Sequence, residues 1–198
     1  MSGADGNAPT TPLAFSCDCG TVRGELSPVR GNHVVCYCPD CRAAELHLGR
    51  PDPATEPADL FQTAPDTVTF TQGADHLAVF RLSPKGPLRW YADCCNAPLF
   101  NTLASPKLAF STLHTKRVED QDKLGPIVIR VSVPQPDGTR KTEGKGRMIS
   151  DILGQMLMNR ITGRWKQTPF FDPGGAPVAD VYQLTKAERA ALYPSGRS

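Results

Sequence analysis

Seven cysteines in three tight clusters constrain this chain more than any other feature of its sequence. The clusters are Cys17-Asp18-Cys19-Gly20, Cys36-Tyr37-Cys38-Pro39-Asp40-Cys41 and the adjacent pair Cys94-Cys95. An odd number of cysteines does not fit a closed set of disulfides. Buried free cysteines with no common role would be scattered along the chain. Thiols clustered in this way predict a metal site, with zinc favoured and an iron–sulfur cluster as the alternative.

Other features of the sequence indicate a compartment in which the thiols are reduced. The first fifteen residues lack the basic start and apolar run of a signal peptide. No stretch approaches the run of about 18 apolar residues that predicts a membrane span. We therefore expect a protein of the cytoplasm, a compartment in which thiols stay reduced, and no membrane partner. A formal net charge of +2 also excludes nucleic-acid binding by bulk electrostatics.

Zinc is held in proteins by four ligands at tetrahedral angles, and the first and third clusters together offer four thiols. Cys17 and Cys19 lie on one tight turn, and Cys94 and Cys95 lie more than seventy residues further along the chain. A metal shared between them would tie both ends of the intervening sheet. The first and third clusters therefore predict a structural zinc.

The middle cluster has different spacing and predicts a different role. Cys36, Cys38 and Cys41 form a C-x-C-x-x-C motif with three thiols and no fourth. Three protein ligands with one vacant position is the arrangement of catalytic zinc. These cysteines either hold a second, reactive zinc or remain reduced without metal.

The pattern between and around the clusters predicts a mainly β fold. The chain contains 19 prolines and 17 glycines, which favour short strands joined by turns over long helices. Turn sequences separate the apolar runs at short intervals, as in an antiparallel all-β domain. The predicted strands are 21–26, 33–37, 67–71, 76–82, 88–91 and 108–112, with one more, IVIRVSV, after residue 125.

The character of the chain changes near residue 118. Residues 147–164 carry apolar side chains at helical spacing, and Thr185 with Glu188 forms a capping box that begins a last short helix. We expect a disordered segment at 1–13, a zinc-binding β domain at 14–118, and an extension at 119–198 with one strand and two helices packed on it. Core packing is the favoured role of the first helix, and an oligomer interface is the alternative.

The cysteine motifs resemble those of the glutathione-dependent formaldehyde-activating enzymes and the centromere-protein-V-like proteins. The resemblance covers about residues 15–118. Its motifs are Cys17-Asp18-Cys19-Gly20 before a strand, Cys36-Tyr37-Cys38-Pro39-Asp40-Cys41-Arg42, the strand and turn Val68 to Gly73, and Tyr91 to Leu99. The family's last motif is C-x-x-C-G, and Cys94-Cys95 departs from it. Because adjacent cysteines reach one ion only through a distorted loop, His33 or Asp93 is an alternative ligand.

The resemblance implies a β-tent-like fold of antiparallel sheets around a cysteine zinc site. It also implies that Cys17 and Cys19, with Cys94 or Cys95, hold a structural zinc. Cys36, Cys38 and Cys41 would be the catalytic group that binds the zinc of thiol and aldehyde chemistry. The implied activity is that of a carbon–sulfur lyase similar to S-(hydroxymethyl)glutathione synthase, with glutathione as co-substrate.

Two further residues are candidates for this chemistry. Arg42 directly follows the middle cluster, where a guanidinium stabilises thiolates or binds a carboxylate of glutathione, although an ordinary surface arginine fits equally well. His47 is the best-placed of four scattered histidines to act as an acid or base. The alternative to an enzyme is a zinc-stabilised binding or scaffold module. A cavity at Cys36, Cys38 and Cys41 that admits a tripeptide would favour the enzyme.

Overall fold

The computed structural model describes residues 11–193, and within them the chain forms twelve β-strands and three α-helices. The strands are β1 (Leu13–Ser16), β2 (Arg23–Leu26), β3 (Asn32–Cys36), β4 (Ala58–Thr63), β5 (Val68–Gln72), β6 (Leu77–Arg81), β7 (Leu88–Ala92), β8 (Ala97–Thr102), β9 (Ser111–His114), β10 (Ile127–Pro134), β11 (Arg140–Glu143) and β12 (Val181–Gln183). The helices are α1 (Pro39–His47), α2 (Lys145–Thr162) and α3 (Lys186–Ala191).

The strands form two sheets. The small sheet has the order β1-β2-β5, and the large sheet has nine strands in the order β11-β10-β3-β4-β9-β8-β7-β6-β12. Neighbouring strands are antiparallel except for two parallel pairs, β3 with β10 and β6 with β12. The predicted mainly β fold with antiparallel sheets around a cysteine site is therefore confirmed, and the parallel pairs make the large sheet mixed.

Aromatic side chains join the two sheets into one core. Phe15 of the small sheet packs edge-on against Phe100 of the large sheet, with ring centroids 5.2 Å apart. Trp90, predicted to be a core residue, is 1% exposed, and its indole N–H donates to the Thr102 hydroxyl at 2.9 Å. Phe170 from the extension lies 5.2 Å from both Trp90 and Phe100. The extension therefore shares this core.

The extension holds more structure than the sequence predicted. It contributes three strands instead of one, and these complete both edges of the large sheet: β10 and β11 at one edge, β12 at the other. The sequence pattern missed β11 because its polar sequence, Arg-Lys-Thr-Glu, lacks an apolar face. It missed β12 because three residues are too few to show an alternating pattern. The two predicted helices are present, and the capping box of Thr185 and Glu188 is confirmed.

Two central strands, β4 and β8, were also missed in the sequence, and burial explains why. All six residues of β8 are buried, and so are the last four of β4, because both faces of these strands are covered. Such strands do not alternate between apolar and polar residues. Of the segment predicted to be disordered, residues 1–10 lie outside the described residues, whereas Leu13 begins β1 and is 1% exposed.

Helix α2 differs from its prediction in packing. Its extent agrees with the predicted helix, but Asn159 is its single fully buried residue. Met148, Ile152 and Met156 are half-buried, whereas the apolar row of Ile149, Leu153, Leu157 and Ile161 is exposed. The favoured core role is therefore correct for only part of the apolar residues. Among the described residues, no helix is long and apolar enough to cross a membrane.

Candidate metal centres

The first candidate metal centre brings together four cysteines that are far apart in sequence. Cys17 and Cys19 lie on the turn after β1, where Gly20 adopts a left-handed conformation with φ of +75°. Cys94 and Cys95 lie on the turn between β7 and β8. We call these four residues the four-cysteine cluster. Their sulfur atoms all lie within 4.8 Å of one another.

The spacing of these sulfur atoms matches a tetrahedral ion. Four sulfurs at about 2.3 Å from zinc are about 3.8 Å from one another. The sulfur of Cys94 lies 3.3 Å from that of Cys19, 3.9 Å from that of Cys17 and 4.0 Å from that of Cys95. The four-cysteine cluster can therefore hold a metal ion such as zinc.

The adjacent pair Cys94-Cys95 reaches this cluster through a strained turn. Asn96, the next residue, adopts a φ of +53°, in the left-handed region that asparagine tolerates better than most residues. The alternative ligand His33 lies elsewhere, between the Asp59 carboxylate at 2.7 Å and the Gly125 carbonyl at 2.8 Å. Asp93 lies beside the cluster but accepts a hydrogen bond from His76 at 2.9 Å.

The local backbone supports thiolates at this centre. The amide N–H of Val22 donates to the sulfur of Cys17 at 3.3 Å. Hydrogen bonds from the side chain and backbone of Thr21 lower the pKa of Cys19 to about 6. These contacts favour the thiolate of Cys19, which is the form that binds metal. Burial instead raises the pKa of Cys94 to about 12 and also raises the pKa of Cys95.

The second candidate centre, the three-cysteine cluster, is built from a short stretch of chain. Cys36 ends β3, Cys38 is the N-cap residue of α1, and Cys41 lies in the first turn of that helix. Proline at the first helical position presets the backbone, so α1 begins at Pro39. The three sulfurs lie within 4.8 Å of one another, and those of Cys38 and Cys41 are 3.3 Å apart.

The charge environment of this cluster favours an anion. The N-terminus of α1 places the positive end of the helix dipole at Cys38. Hydrogen bonds with Cys36 and Cys41 lower the pKa of Cys38, and the positive charge of Arg89 lowers it further. Arg89 is 6% exposed on β7, and its Nε has no hydrogen-bond partner among the described residues. No pattern in the sequence indicates this buried cation, because it lies 48 residues beyond Cys41.

All three cysteines of this cluster line a cavity of about 700 Å³. Its wall includes α1, the Pro-rich loop after it and β9, and the extension closes part of it with Pro134, Arg140, Leu192 and Tyr193. The four-cysteine cluster contributes no residue to this cavity. The three-cysteine cluster is therefore the one that lies in a cavity, whereas Cys19 and Cys94 of the four-cysteine cluster are exposed at the surface.

Arg42 lines this cavity, but its guanidinium already has a partner. It donates to both carboxylate oxygens of Asp52, at 2.7 and 2.5 Å. Two other cations line the cavity with no carboxylate partner among the described residues, namely Lys116 and Arg140. Arg140 donates to the backbone carbonyls of Tyr37 and Ser132, at 2.8 and 3.1 Å.

The histidine at the cavity is His114, not His47. His47 packs against Phe80, with ring centroids 4.5 Å apart, and does not line the cavity. His114 on β9 lines it, and its Nδ1 lies 3.8 Å from a carboxylate oxygen of Glu45 on α1. Burial, followed by the charges of Arg89 and Arg117, lowers the pKa of His114 to about 3. Burial also raises the pKa of Glu45. Sequence distance concealed this pair, because Glu45 lies on α1 and His114 lies on β9, far apart in the chain.

One carboxylate links the two centres. Asp18, between Cys17 and Cys19, accepts hydrogen bonds from Arg50 at 2.5 Å and from the buried Arg117. Both arginines also line the cavity. Burial opposes ionisation of Asp18, but Arg117 and Arg50 outweigh it and lower the pKa of this carboxyl group. The turn of the four-cysteine cluster therefore orients two cations of the cavity wall.

Comparison with known proteins gives a family without an assigned activity. The model of a family of unknown function (DUF6151) matches residues 9–182. No curated protein matches the chain. A crystal structure of a Rhodobacter sphaeroides protein is similar to this chain at 16% identity and a TM-score of 0.42, over 58% of this chain and 96% of that chain. A likeness of this size identifies no function, so the functional interpretation depends on the two cysteine clusters.

Proposed function

The chain belongs to this family of unknown function (DUF6151), and we propose that it is a zinc-dependent enzyme of carbon–sulfur chemistry. Its substrates are a small thiol that carries carboxylates, such as glutathione, and an aldehyde, such as formaldehyde. One observation carries the proposal: three thiols that the four-cysteine cluster does not need line a cavity of about 700 Å³. Ligand cavities are typically about 300–1,000 Å³, so a tripeptide thiol fits.

The residues of the three-cysteine cluster fit a catalytic zinc. Three thiolates and a divalent ion leave one negative charge, which the buried guanidinium of Arg89 balances. Zinc at this cluster would supply a positive charge that favours the thiolate form of a substrate thiol. Cys36, Cys38 and Cys41 are its ligands in this proposal.

Glu45 is the acid and base of the proposed reaction. The S–H bond of the thiol breaks, and its proton goes to the Glu45 carboxylate. The sulfur then forms a bond to the aldehyde carbon while the C=O double bond opens toward oxygen. Glu45 returns the proton to that oxygen, which gives an S-hydroxymethyl adduct, and the reverse sequence cleaves it. A carboxyl group whose pKa is raised by burial suits both steps.

His114 is the hydrogen-bond donor in this proposal. Its low pKa keeps the imidazole neutral at pH 7. A neutral imidazole can polarise a carbonyl oxygen without transferring its own proton. Its distance of 3.8 Å from Glu45 places the donor next to the acid. The pair therefore acts on the same oxygen atom.

Two cations support recognition of a thiol with carboxylates. Lys116 and Arg140 line the cavity from β9's end and from the extension, and neither has a carboxylate partner in the described part of the chain. Glutathione carries two carboxylates that would complement them. An accessible cavity with unpaired cations also favours the enzyme over the non-catalytic binding module.

The test is substitution of Cys38 by serine. Zinc per chain is measured by elemental analysis, and the rate of S-(hydroxymethyl)glutathione formation is measured by NMR with ¹³C-formaldehyde. The wild-type chain should hold about two zinc ions and Cys38→Ser about one, with an unchanged circular dichroism spectrum and turnover reduced to the uncatalysed rate. Ser150→Ala, outside the cavity, is the control and should behave as wild type. Wild-type turnover in Cys38→Ser, or no catalysis by the wild-type chain, would contradict the proposal.

A further inference from the structure

A second cavity, of about 570 Å³, lies between α2 and the start of β3. Its wall consists of one side of α2, residues 30–32, part of the turn after β4, and Arg164 just after α2. It shares no lining residue with the cavity of the three-cysteine cluster, which lies at the other end of β3. Small-molecule sites typically have volumes of about 300–1,000 Å³, so this space admits a second small molecule.

Positive charge predominates in the wall of this second cavity, which we call the arginine cavity. Arg30, Arg147 and Arg164 line it, together with a single carboxylate, that of Asp151. Three guanidinium groups on one cavity repel one another, and an anion bound between them would remove that repulsion. Three cations against one carboxylate leave an excess of two positive charges, which complements an anion with two negative charges.

Two of these arginines have no partner in the protein. Arg30 and Arg164 are exposed, and neither side chain forms a hydrogen bond or an ion pair within residues 11–193. Asp66 is close enough for both arginines to lower its pKa, but burial has the larger effect and raises it. Asp66 also does not line the cavity. This carboxyl group therefore does not fully balance the two arginines.

The third arginine is oriented by a buried side chain. Arg147 donates from its Nε to the side-chain oxygen of Asn32 at 3.3 Å, and Asn32 is 5% exposed. The amide nitrogen of Asn32 donates in turn to Asp151 at 3.0 Å. The two terminal nitrogens of Arg147 form no hydrogen bond within the described part of the chain. This planar pair of donors is suited to the oxygens of a phosphate group.

The arginine cavity also contains a buried acceptor that lacks a donor. Asn159 lines the cavity and is 6% exposed, and its Oδ1 has no hydrogen-bond partner among the described residues. Its amide nitrogen donates to the Gln155 carbonyl at 3.1 Å. A buried acceptor without a partner is unfavourable. A ligand hydroxyl that donates to this oxygen would satisfy it.

We propose that the arginine cavity binds a hydroxylated phosphate monoester, such as a sugar phosphate. At pH 7 such a phosphate carries nearly two negative charges and three acceptor oxygens, which match the charge excess and the three guanidinium groups. A carboxylate has one charge and two oxygens, and would leave part of the positive charge unbalanced. A hydroxyl of the ligand donates to Asn159. The site is independent of the proposed chemistry at the three-cysteine cluster.

The test is calorimetric titration of the full chain, as purified with its metal, at about 50 mM salt. Ribose 5-phosphate should bind with a Kd below about 1 mM, inorganic phosphate about 10-fold more weakly, and ribose not detectably. Arg30→Gln and Arg164→Gln should each weaken ribose 5-phosphate binding about 10-fold or more, because each removes a charge-assisted hydrogen bond. Arg160→Gln, at an exposed arginine of α2 outside the cavity, is the matched control and should bind as the wild type does.

A second variant tests the hydroxyl contact. Asn159→Leu should weaken binding of ribose 5-phosphate but leave that of inorganic phosphate unchanged, and this difference separates a lost contact from a disturbed fold. No binding of ribose 5-phosphate to the wild type, or equal affinity for inorganic phosphate, contradicts the proposal. An equal loss in Arg160→Gln also contradicts it, since the attraction would then be nonspecific. Loss of binding in Arg140→Gln alone would place the anion in the cavity of the three-cysteine cluster and overturn the proposal.

Discussion

The four-cysteine and three-cysteine clusters use the same ligand atom in opposite ways. In the four-cysteine cluster, two turns from distant parts of the chain supply a full tetrahedral set, and none of its cysteines lines the cavity. In the three-cysteine cluster, one strand end and one helix start supply an incomplete set, and every cysteine faces the cavity. A complete set leaves no position for a substrate, so it stabilises. An incomplete set beside a cavity can react.

The two clusters also differ in the length of chain that they close. Cys17 and Cys94 are 77 residues apart, whereas Cys36 and Cys41 belong to one continuous motif. A cross-link between distant residues removes more conformational entropy from the unfolded chain than a local one does. We therefore expect the first cluster to dominate stability and the second to dominate activity.

The largest expected effect is the loss of the fold in Cys94→Ser. Structural zinc contributes about 10–16 kcal/mol of binding free energy in zinc-finger peptides, which is comparable to the whole stability of a domain. Cys94→Ser should lose its cooperative thermal transition, whereas Cys38→Ser should keep a melting temperature near that of the wild type. Circular dichroism melting measures both. Equal melting temperatures in the two variants would remove the distinction between the clusters.

Graded chelation should separate the clusters in the wild-type chain. A three-ligand site with an open position releases its zinc to a chelator sooner than a closed four-ligand site does. We expect the first zinc to leave together with turnover while the fold persists, and the second to leave together with the fold. Released zinc, turnover and circular dichroism are followed in the same titration. Simultaneous loss of turnover and fold would show that one ion serves both functions.

Glu45→Gln should lower turnover by about 10²–10³-fold, because general acid–base catalysis contributes factors of this size. Zinc content and melting temperature should not change, since Glu45 belongs to the cavity wall and not to either cluster. Glu56→Gln is the matched control, because Glu56 is an exposed carboxylate on the same cavity. Equal rates in the two variants would exclude Glu45 as the acid and base.

Asp18→Asn tests the contact between the two regions. The substitution weakens the hold on Arg50 and Arg117 while leaving all seven cysteines in place. We expect the KM for the thiol to rise about 10-fold, because the loss of one charge-assisted hydrogen bond weakens binding by about this factor. The kcat and the zinc content should change little. Kinetics at varied thiol concentration measure this. An unchanged KM would mean that the two centres are independent.

The smallest expected effect concerns the pH dependence of stability. The pKa of His114 is about 3 in the folded chain and about 6.5 in the unfolded chain, so the unfolded chain binds more protons between these values. Its contribution to stability is complete above pH 6.5 and is lost as the pH falls toward 3. Between pH 7 and 5.5, the wild type should lose about 1 kcal/mol more than His114→Gln. Urea unfolding at both pH values measures the free energy of unfolding. An equal loss of stability in the wild type and in His114→Gln would contradict the prediction.

The local signals in the sequence predicted much of the fold and the candidate sites. The cysteine motifs, the alternating strands β2 and β6, the extent of α2 and the capping box of α3 depend on residues close together in the chain. The prediction failed for β4 and β8 because their two covered faces remove the alternation. It failed for β11 because this edge strand carries only polar side chains, and for β12 because the strand has only three residues.

The sequence alone determined that the chain has three clusters of thiols, with two, three and two members, because ligand type and short spacings are read directly from the motifs. Only the tertiary structure decided that Cys94 and Cys95 both reach the first cluster, and that the second cluster faces a cavity. It also placed Arg89, His114 and Glu45 around that cavity and left the apolar row of α2 outside the core. These outcomes depend on strand pairing between residues tens of positions apart, and no local pattern of side chains encodes that pairing.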